Sequence, residues 1–408
     1  MTDIPHPVGA ARSNEWRVIS IVSAAHFTSH YYTMLLPPLF AFVRADYGVS
    51  YTELGIALAA FNIVSATLQT PAGFLVDRLG ARAILIAGLV LGAVAFAIAG
   101  LVHSFIVFVA MYALAGLANT VYHPADYSAL SHQISAERIS QAFSFHTFAG
   151  ILGSAVAPSS VLVIYGYFGW RGAYVAAAIL GLSIAGILAI QRPAAGTAPT
   201  GSKPASKRDA GTAEVGWRLL LSPPILASLF FFALLSIVNS GLQNYSVVAL
   251  AALYNTPFTV SNTALTFYLL LSAGGVLIGG MLAARVSKHA IVAVAGLVTS
   301  GLTAMLVGLF DLGTVLLILV MSFGGLASGI VMPSRDMIVR AVTPPGSFGK
   351  VFGFVTTGFN ISGIVSPLIF GALMDRGSPR TVFLLVAACS IVAILTVLTR
   401  PRRPAGPA

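Results

Sequence analysis

Charge is what this sequence has least of. Asp, Glu, Lys and Arg make up 8% of its 408 residues, while 57% are hydrophobic. A soluble domain carries about 25% charged residues, so an ordinary soluble enzyme is excluded. There is one cysteine, Cys389, which rules out an intramolecular disulfide. No metal-ligand cluster, nucleophilic triad, phosphate-cradling loop or nucleotide motif is evident along the chain. The lack of a P-loop argues against a self-contained ATP-driven pump. Neither a catalytic residue nor a cofactor is expected. The net charge of +10 does not point to nucleic acid, because the basic residues lie in loops and no interleaved aromatic surface accompanies them. Residues 1–14 are polar and the apolar run after them is too long for the core of a leader, so no cleavable signal is read.

What is present is apolar length. Stretches of roughly 20 residues, each enough to cross a bilayer as a helix, follow one another with short breaks. Twelve spans are expected, near residues 17–43, 53–76, 82–102, 105–131, 139–167, 172–191, 223–252, 261–284, 290–310, 313–340, 348–374 and 380–399. The one long polar stretch is 192–217, rich in Ala, Gly, Thr, Pro, Ser and Lys. It reads as a cytoplasmic linker between an N-terminal six-helix bundle, 1–191, and a C-terminal one, 218–408. With both termini in the cytoplasm, 18 Lys and Arg residues fall on the cytoplasmic side and 4 on the other (Arg44, Arg171, Arg376 and Arg380). The positive-inside rule predicts that orientation, in a bacterial-type inner membrane.

The halves are related in sequence. A shift of 209 residues aligns Pro124 with Pro333, Phe143 with Phe352, Phe145 with Phe354, Pro158 with Pro367 and Arg171 with Arg380. Parallel halves of this kind predict two pseudo-symmetric bundles with a cavity at the membrane midplane. Between the second and third spans runs Gly73-Phe74-Leu75-Val76-Asp77-Arg78-Leu79-Gly80-Ala81-Arg82. It puts the first charges after a long apolar run beside a glycine suited to a tight turn.

That loop resembles the signature of the major facilitator superfamily, with Gly73, Asp77, Arg78, Gly80 and Arg82 matching and Ala81 where a basic residue is usual. The first half further resembles the branch containing the fosmidomycin-resistance exporters. The residues are His26-Phe27-Thr28-Ser29-His30, Leu68-Gln69-Thr70-Pro71-Ala72-Gly73 and Val121-Tyr122-His123-Pro124-Ala125-Asp126. That branch has Glu beside the Pro; here Ala125 stands there and the acid falls one position later. The resemblance implies alternating access, with helices 1, 4, 7 and 10 lining the cavity, and proton-coupled export (efflux by an antiporter).

The candidates are polar residues deep in the spans, because an unpaired polar group in hydrocarbon is costly. His26 and His30 lie one turn apart on one face of helix 1, and histidine titrates in the physiological range. They carry protons, or are neutral and bonded to neighbouring helices. Tyr31 and Tyr32 contact substrate or pack. Helix 7 offers Asn239, the repeat partner of His30, with Gln243 and Asn244; His30 and Asn239 are expected to bound the cavity. Asn119, Tyr268 and Asn360, with Asn62, contact substrate or join helices. His123 and Asp126 in helix 4, and Arg335 and Asp336 in helix 10, are the oddest charges. Asp126 and Arg335 are 209 apart and opposite in sign. They act in proton coupling, anion binding or gating, or pair locally with Arg82, Arg138 or Asp336.

The sequence therefore predicts a monomeric secondary transporter surrounded by membrane lipid. It moves a small-molecule substrate with protons, by export of a drug-like or anionic compound. The alternative is uptake or exchange of a small organic acid.

Overall fold

The computed structural model describes residues 8–135, 138–191, 218–286, 288–344 and 348–398. The expected linker, 192–217, lies outside the described residues. Among those described there are helices and no strand. This is what a bilayer demands of a chain that must satisfy every backbone group internally without closing a barrel.

In chain order the helices are α1 Val8–Thr33, α2 Phe40–Tyr47, α3 Tyr51–Leu79, α4 Ala81–Leu101, α5 Phe105–Asn119, α6 Tyr122–Gln133 and α7 Ile139–Ile190. The second half contains α8 Pro223–Ser240, α9 Ser246–Tyr254, α10 Phe258–Arg285, α11 His289–Leu309, α12 Gly313–Val342, α13 Phe348–Asp375 and α14 Pro379–Leu398. Ten stretches among the described residues are long and apolar enough to span a membrane. One of them, Gln141–Ile190, counts once but holds two passes. At 1.5 Å per residue the 52 residues of α7 would reach about 78 Å, far more than one bilayer, and the run breaks at Gly169 (φ 67°, ψ 178°). A residue with a Cβ is disfavoured in that conformation. Helix α1 falls short of the ten only in composition, because Glu15, Arg17, His26 and His30 dilute its apolar face. With these two adjustments the described residues supply the twelve spans expected.

The structure revises where several helices stop. The first was expected to run to residue 43 but ends at Thr33, and the chain passes through a 3-10 turn at Pro37–Leu39 before α2. Two prolines in sequence lack N–H donors and disfavour helix just before them. The fourth span is interrupted after Asn119 and restarts at Tyr122, where Pro124 removes one N–H and crowds the carbonyl four residues back. The seventh contains a π turn, Gly241–Tyr245, between α8 and α9.

The chain forms two compact units. One comprises Met1–Leu36 and Ala60–Ser206, the other Pro37–Ala59 and Lys207–Ala408. Each has its own apolar core. In the first, Ile19, Val22, Leu85, Leu89, Tyr122, Leu130 and Leu188 pack together. In the second, Ile225, Phe231, Phe232, Leu297, Val331, Val339, Val351 and Val355 do. The repeat recurs inside each unit as equivalent contacts. Arg171 donates to the carbonyl of Gly100 at 3.2 Å in the first, and Arg380 to the carbonyl of Gly308 at 3.2 Å in the second.

Within the second unit, Asp375 caps the start of α3. Its carboxylate accepts the backbone N–H groups of Tyr51 at 2.7 Å and Thr52 at 2.8 Å, and the Thr52 hydroxyl at 2.6 Å. These are donors that a helix start leaves without internal partners.

Candidate functional site

The first unit gathers its titratable side chains at one place. His26 and His30 share a face of α1, their rings 4.6 Å apart. Restarting the fourth span at Tyr122 puts His123 and Asp126 one turn apart on α6, and the His26 and His123 rings lie 5.1 Å from each other. From α7 comes His146, which sequence reasoning missed. Its Nε2 is hydrogen-bonded to Asp126 Oδ2 at 3.0 Å, and its ring stacks on His26 at 3.8 Å. His26 Nδ1 is 3.4 Å from the same carboxylate oxygen. Asp126 is 0% exposed, His146 1% and His26 4%.

Room for this cluster comes from Gly150, one turn beyond His146. A Cβ there would stand 2.5 Å from His26 Cδ2 and 2.6 Å from His26 Nε2, closer than the ring could accept without shifting. Ser154, a further turn along, bonds His30 Nδ1 at 3.2 Å. Tyr127 stacks on His123 at 6.0 Å and lies 5.6 Å from His146. The buried Tyr122 hydroxyl, Asp126 Oδ1 and the Nδ1 atoms of His123 and His146 have no hydrogen-bond partner among the described residues. Buried polar groups are nearly always paired, so this cluster retains bonding capacity that the described residues do not use.

The donor atoms of His26, Asp126 and His146 lie within 4.8 Å of one another, a spread a metal ion could bridge. The two imidazoles stack with an interplanar angle of 22°, and each brings a ring nitrogen to the same carboxylate oxygen. The arrangement is a hydrogen-bonded stack suited to holding and passing a proton.

The remaining candidates in this unit are bonded to protein. The Tyr31 hydroxyl meets Ser160 Oγ at 3.0 Å, and Asn119 donates to Ser65 Oγ at 2.9 Å. In the signature loop, Asp77 and Arg78 are exposed, and Gly80 takes φ 85° ahead of α4. Arg82 turns to the last turn of α7. It donates to the carbonyls of Leu188 (3.1 and 3.3 Å), Ala189 (2.9 Å) and Gln191. Neither Arg82 nor Arg138 pairs with Asp126. Arg138 bonds Glu15 at 3.1 Å and lies over the Trp16 ring.

The second unit has no comparable cluster among its described residues. Arg335 on α12 lies over the rings of Phe232 (4.6 Å) and Phe359 (5.1 Å), and its Nε donates to Asp336 at 2.9 Å. The local pairing weighed for Arg335 is thus made. It leaves both Nη nitrogens without a hydrogen bond among the described residues. Asn239 is half-buried on α8. Gln243 and Asn244 sit in the π turn, where Asn244 donates to Ser240 Oγ at 3.3 Å. Single π turns inside α-helices recur at functional sites; nothing in the apolar periodicity announced this one. Tyr268 is buried on α10 and Asn360 is exposed on α13.

Successive apolar helices of spanning length with polar groups buried among them make this a polytopic membrane protein. Residues 22–256 and 229–408 each match the Major Facilitator Superfamily, and the chain belongs to that family. Among curated proteins it is 26% identical over 385 residues to the probable sulfoacetate transporter SauU of Cupriavidus necator. That match covers 87% of this chain and 86% of the relative. It is 27% identical over 143 residues to the probable L-galactonate transporter of Escherichia coli, spanning 35% of this chain and 32% of that protein. Among solved structures, a bacterial homologue of the human lysosomal transporter Spinster superposes with a TM-score of 0.77 at 14% identity, over 96% of this chain and 99% of that one. The nucleoside transporter NupG does so at 0.77 and 14%, over 93% and 98%. At such identities these structures speak to the fold.

Proposed function

We propose that this protein is a proton-coupled secondary transporter of a small organic acid, working by alternating access as a monomer in a bacterial-type inner membrane with both termini cytoplasmic. The observation that carries the reading is the buried cluster of His26, His30, His123, Asp126 and His146. With one proton shared, the Asp126–His146 pair is net neutral. Without it the pair is a net negative charge inside a bundle, which is costly unless water or a partner reaches it. Loading and unloading that proton therefore favours different degrees of access, which is what coupling needs. His26 from α1 and His146 from α7 meet the carboxylate, with Tyr122 and Tyr127 of α6 interacting with it, and His30 and His123 pack on the His26 ring.

Arg335, held flat by two phenylalanine rings, is the proposed contact for the acid's negative charge, since a guanidinium suits carboxylates and sulfonates alike. Asn239, Gln243 and Asn244 supply hydrogen bonds. Two curated relatives, named for a sulfonate and a sugar acid, favour this substrate class over uncharged drugs. Export by proton antiport is the first reading for direction, because residues 26–30, 68–73 and 121–126 resemble the fosmidomycin-resistance exporters. Uptake by symport is the second, favoured by the pairing of an anion contact with a proton carrier.

The test is transport in proteoliposomes with a pH-sensitive dye in the lumen, using sulfoacetate and galactonate as first substrates. Substrate-driven proton movement is expected in the wild type and its loss in Asp126→Asn, while substrate counterflow, which needs no proton gradient, persists. Wild-type transport without proton movement, or coupling intact in Asp126→Asn, would sink the proton-carrier role. An imposed pH gradient then gives the direction, since the same inward proton gradient accumulates substrate by symport and depletes it by antiport.

A further inference from the structure

A second site lies at the end of the first unit where the signature loop joins α4, and it is lined by none of the cluster's histidines nor by Asp126. Four helices contribute to it with the same polarity gradient. On α1, Val18, Ile21 and Val22 lead outward to Arg17 and Asn14. On α4 Leu85 leads to Arg82, on α6 Ala129 to Gln133, and on α7 Leu188 to Gln191. The resulting cavity is about 70 Å³, enough for several waters. Its floor is dry core, since Ile21, Val22, Leu85, Ala129 and Leu188 are all buried. Its rim is polar, and none of its lining residues is acidic.

The rim's positive charge has no ion-pair partner among the described residues. Arg82 uses Nε and Nη2 on the carbonyls ending α7, which leaves Nη1 without a hydrogen bond among the described residues. Arg17 makes neither a hydrogen bond nor an ion pair with a described residue. The nearest acid in sequence, Glu15, is engaged by Ser135 and Arg138 instead. Two guanidiniums, three amide side chains and an apolar floor fit a phosphate group carried on something hydrophobic. Basic pockets between transmembrane helices recognise anionic lipid headgroups in this way.

We infer that Arg17, Arg82, Asn14 and Gln133 form a binding site for the phosphodiester headgroup of an anionic phospholipid, with Ile21, Val22 and Leu85 receiving the start of its hydrocarbon. The site is independent of the transported substrate. Inorganic phosphate would offer the same charge but no hydrocarbon for the apolar floor.

The test is lipid retention and thermal stability of the full-length protein in detergent. Phosphatidylglycerol, phosphatidylcholine and inorganic phosphate are titrated separately, and retained lipid is counted by native mass spectrometry. Phosphatidylglycerol should be retained and should raise the melting temperature, and phosphatidylcholine should do neither. Arg17→Gln should weaken phosphatidylglycerol retention about fivefold, the worth of one arginine near an anionic lipid. Arg17→Lys should restore most of it. Arg17 is exposed and makes no internal bond, so the variants should fold; their melting temperatures without lipid check this. Equal effects of the two lipids would overturn the inference. So would a shift produced by inorganic phosphate and not by lipid, which would make the site one for a free anion. Unchanged retention in Arg17→Gln would also overturn it.

Discussion

The two halves descend from one pattern, yet their interiors hold opposite chemistry. Adding 209 to each member of the histidine cluster gives Leu235 for His26, Asn239 for His30, Met332 for His123, Arg335 for Asp126 and Val355 for His146. Where Gly150 makes room for two imidazoles, the second half has Phe359, whose ring carries the Arg335 guanidinium. Pro124 coincides with a broken span, whereas Pro333 sits inside an uninterrupted α12. The same backbone plan has therefore been filled with titratable groups in the first half and with an arginine among apolar residues in the second. A fold-level repeat sets positions; side chains set what is done there.

The largest effect is expected when the first half is given its partner's residue. His146→Val removes the group bonded to Asp126 and leaves that buried carboxyl with neither oxygen hydrogen-bonded. An orphaned buried polar group costs about 1–3 kcal/mol. Proton-coupled transport is expected to fall by at least about tenfold, a loss of roughly 1.4 kcal/mol at the rate-limiting step, with a lower melting temperature. Proteoliposome dye assays and scanning calorimetry measure the two. If His146→Val keeps both coupling and stability, the cluster is packing and the contrast between the halves is one of composition only.

How much of this was readable beforehand follows from the geometry. His26 and His30 were visible because one helical turn is a fixed four-residue spacing. Asp126 was visible because an acid deep in a span is rare. His146 was not, because a lone histidine in a long apolar segment gives no periodic signal and its partners lie 20 and 120 residues away in sequence. A cruder signal did exist, since seven of the eight histidines precede residue 192 and only His289 follows. The twelve helices were legible from apolar length. The π turn at Gly241–Tyr245 left no mark on the apolar pattern, and Pro124 alone could not announce the break at Thr120, since its repeat partner Pro333 leaves α12 unbroken. Arg335 was picked out by its charge, but the phenylalanines beneath it come from α8 and α13, and only the fold brings them there.

A second, smaller test works on the other half. Arg335→Lys keeps the charge but loses the planar group that lies over Phe232 and Phe359. It also loses the forked donors that match a carboxylate or sulfonate. A cation–π contact is worth about 0.5–2 kcal/mol. The expected result is a several-fold rise in KM for an organic acid with the proton-to-substrate ratio unchanged. A changed ratio with normal KM would move the coupling role into the second half and erase the division of labour argued above. Substrate titrations with simultaneous recording of proton movement separate the outcomes.

The smallest effect lies at the rim of the first unit and serves to separate its acid response from that of the cluster. Glu15 precedes the membrane-spanning part of α1. Its carboxyl is held below the usual value of 4.5, chiefly by the backbone N–H of Ser135 at 2.9 Å and further by Arg138 at 3.1 Å. A carboxyl with a lowered folded-state pKa binds fewer protons folded than unfolded. Its contribution is therefore complete above the unfolded value and is lost as pH falls through the folded one. Arg138 is partly exposed, so the pair is worth about 1 kcal/mol or less. Glu15→Gln should lower the melting temperature slightly at neutral pH. The gap between variant and wild type should then close as the pH drops below about 4.5, since protonation removes from the wild type what the substitution has already removed. A gap that stays constant down to low pH would show that Glu15 acts through packing instead of charge. The acid sensitivity of this unit would then have to come from another group, and the titratable cluster of the first half would be the next place to look.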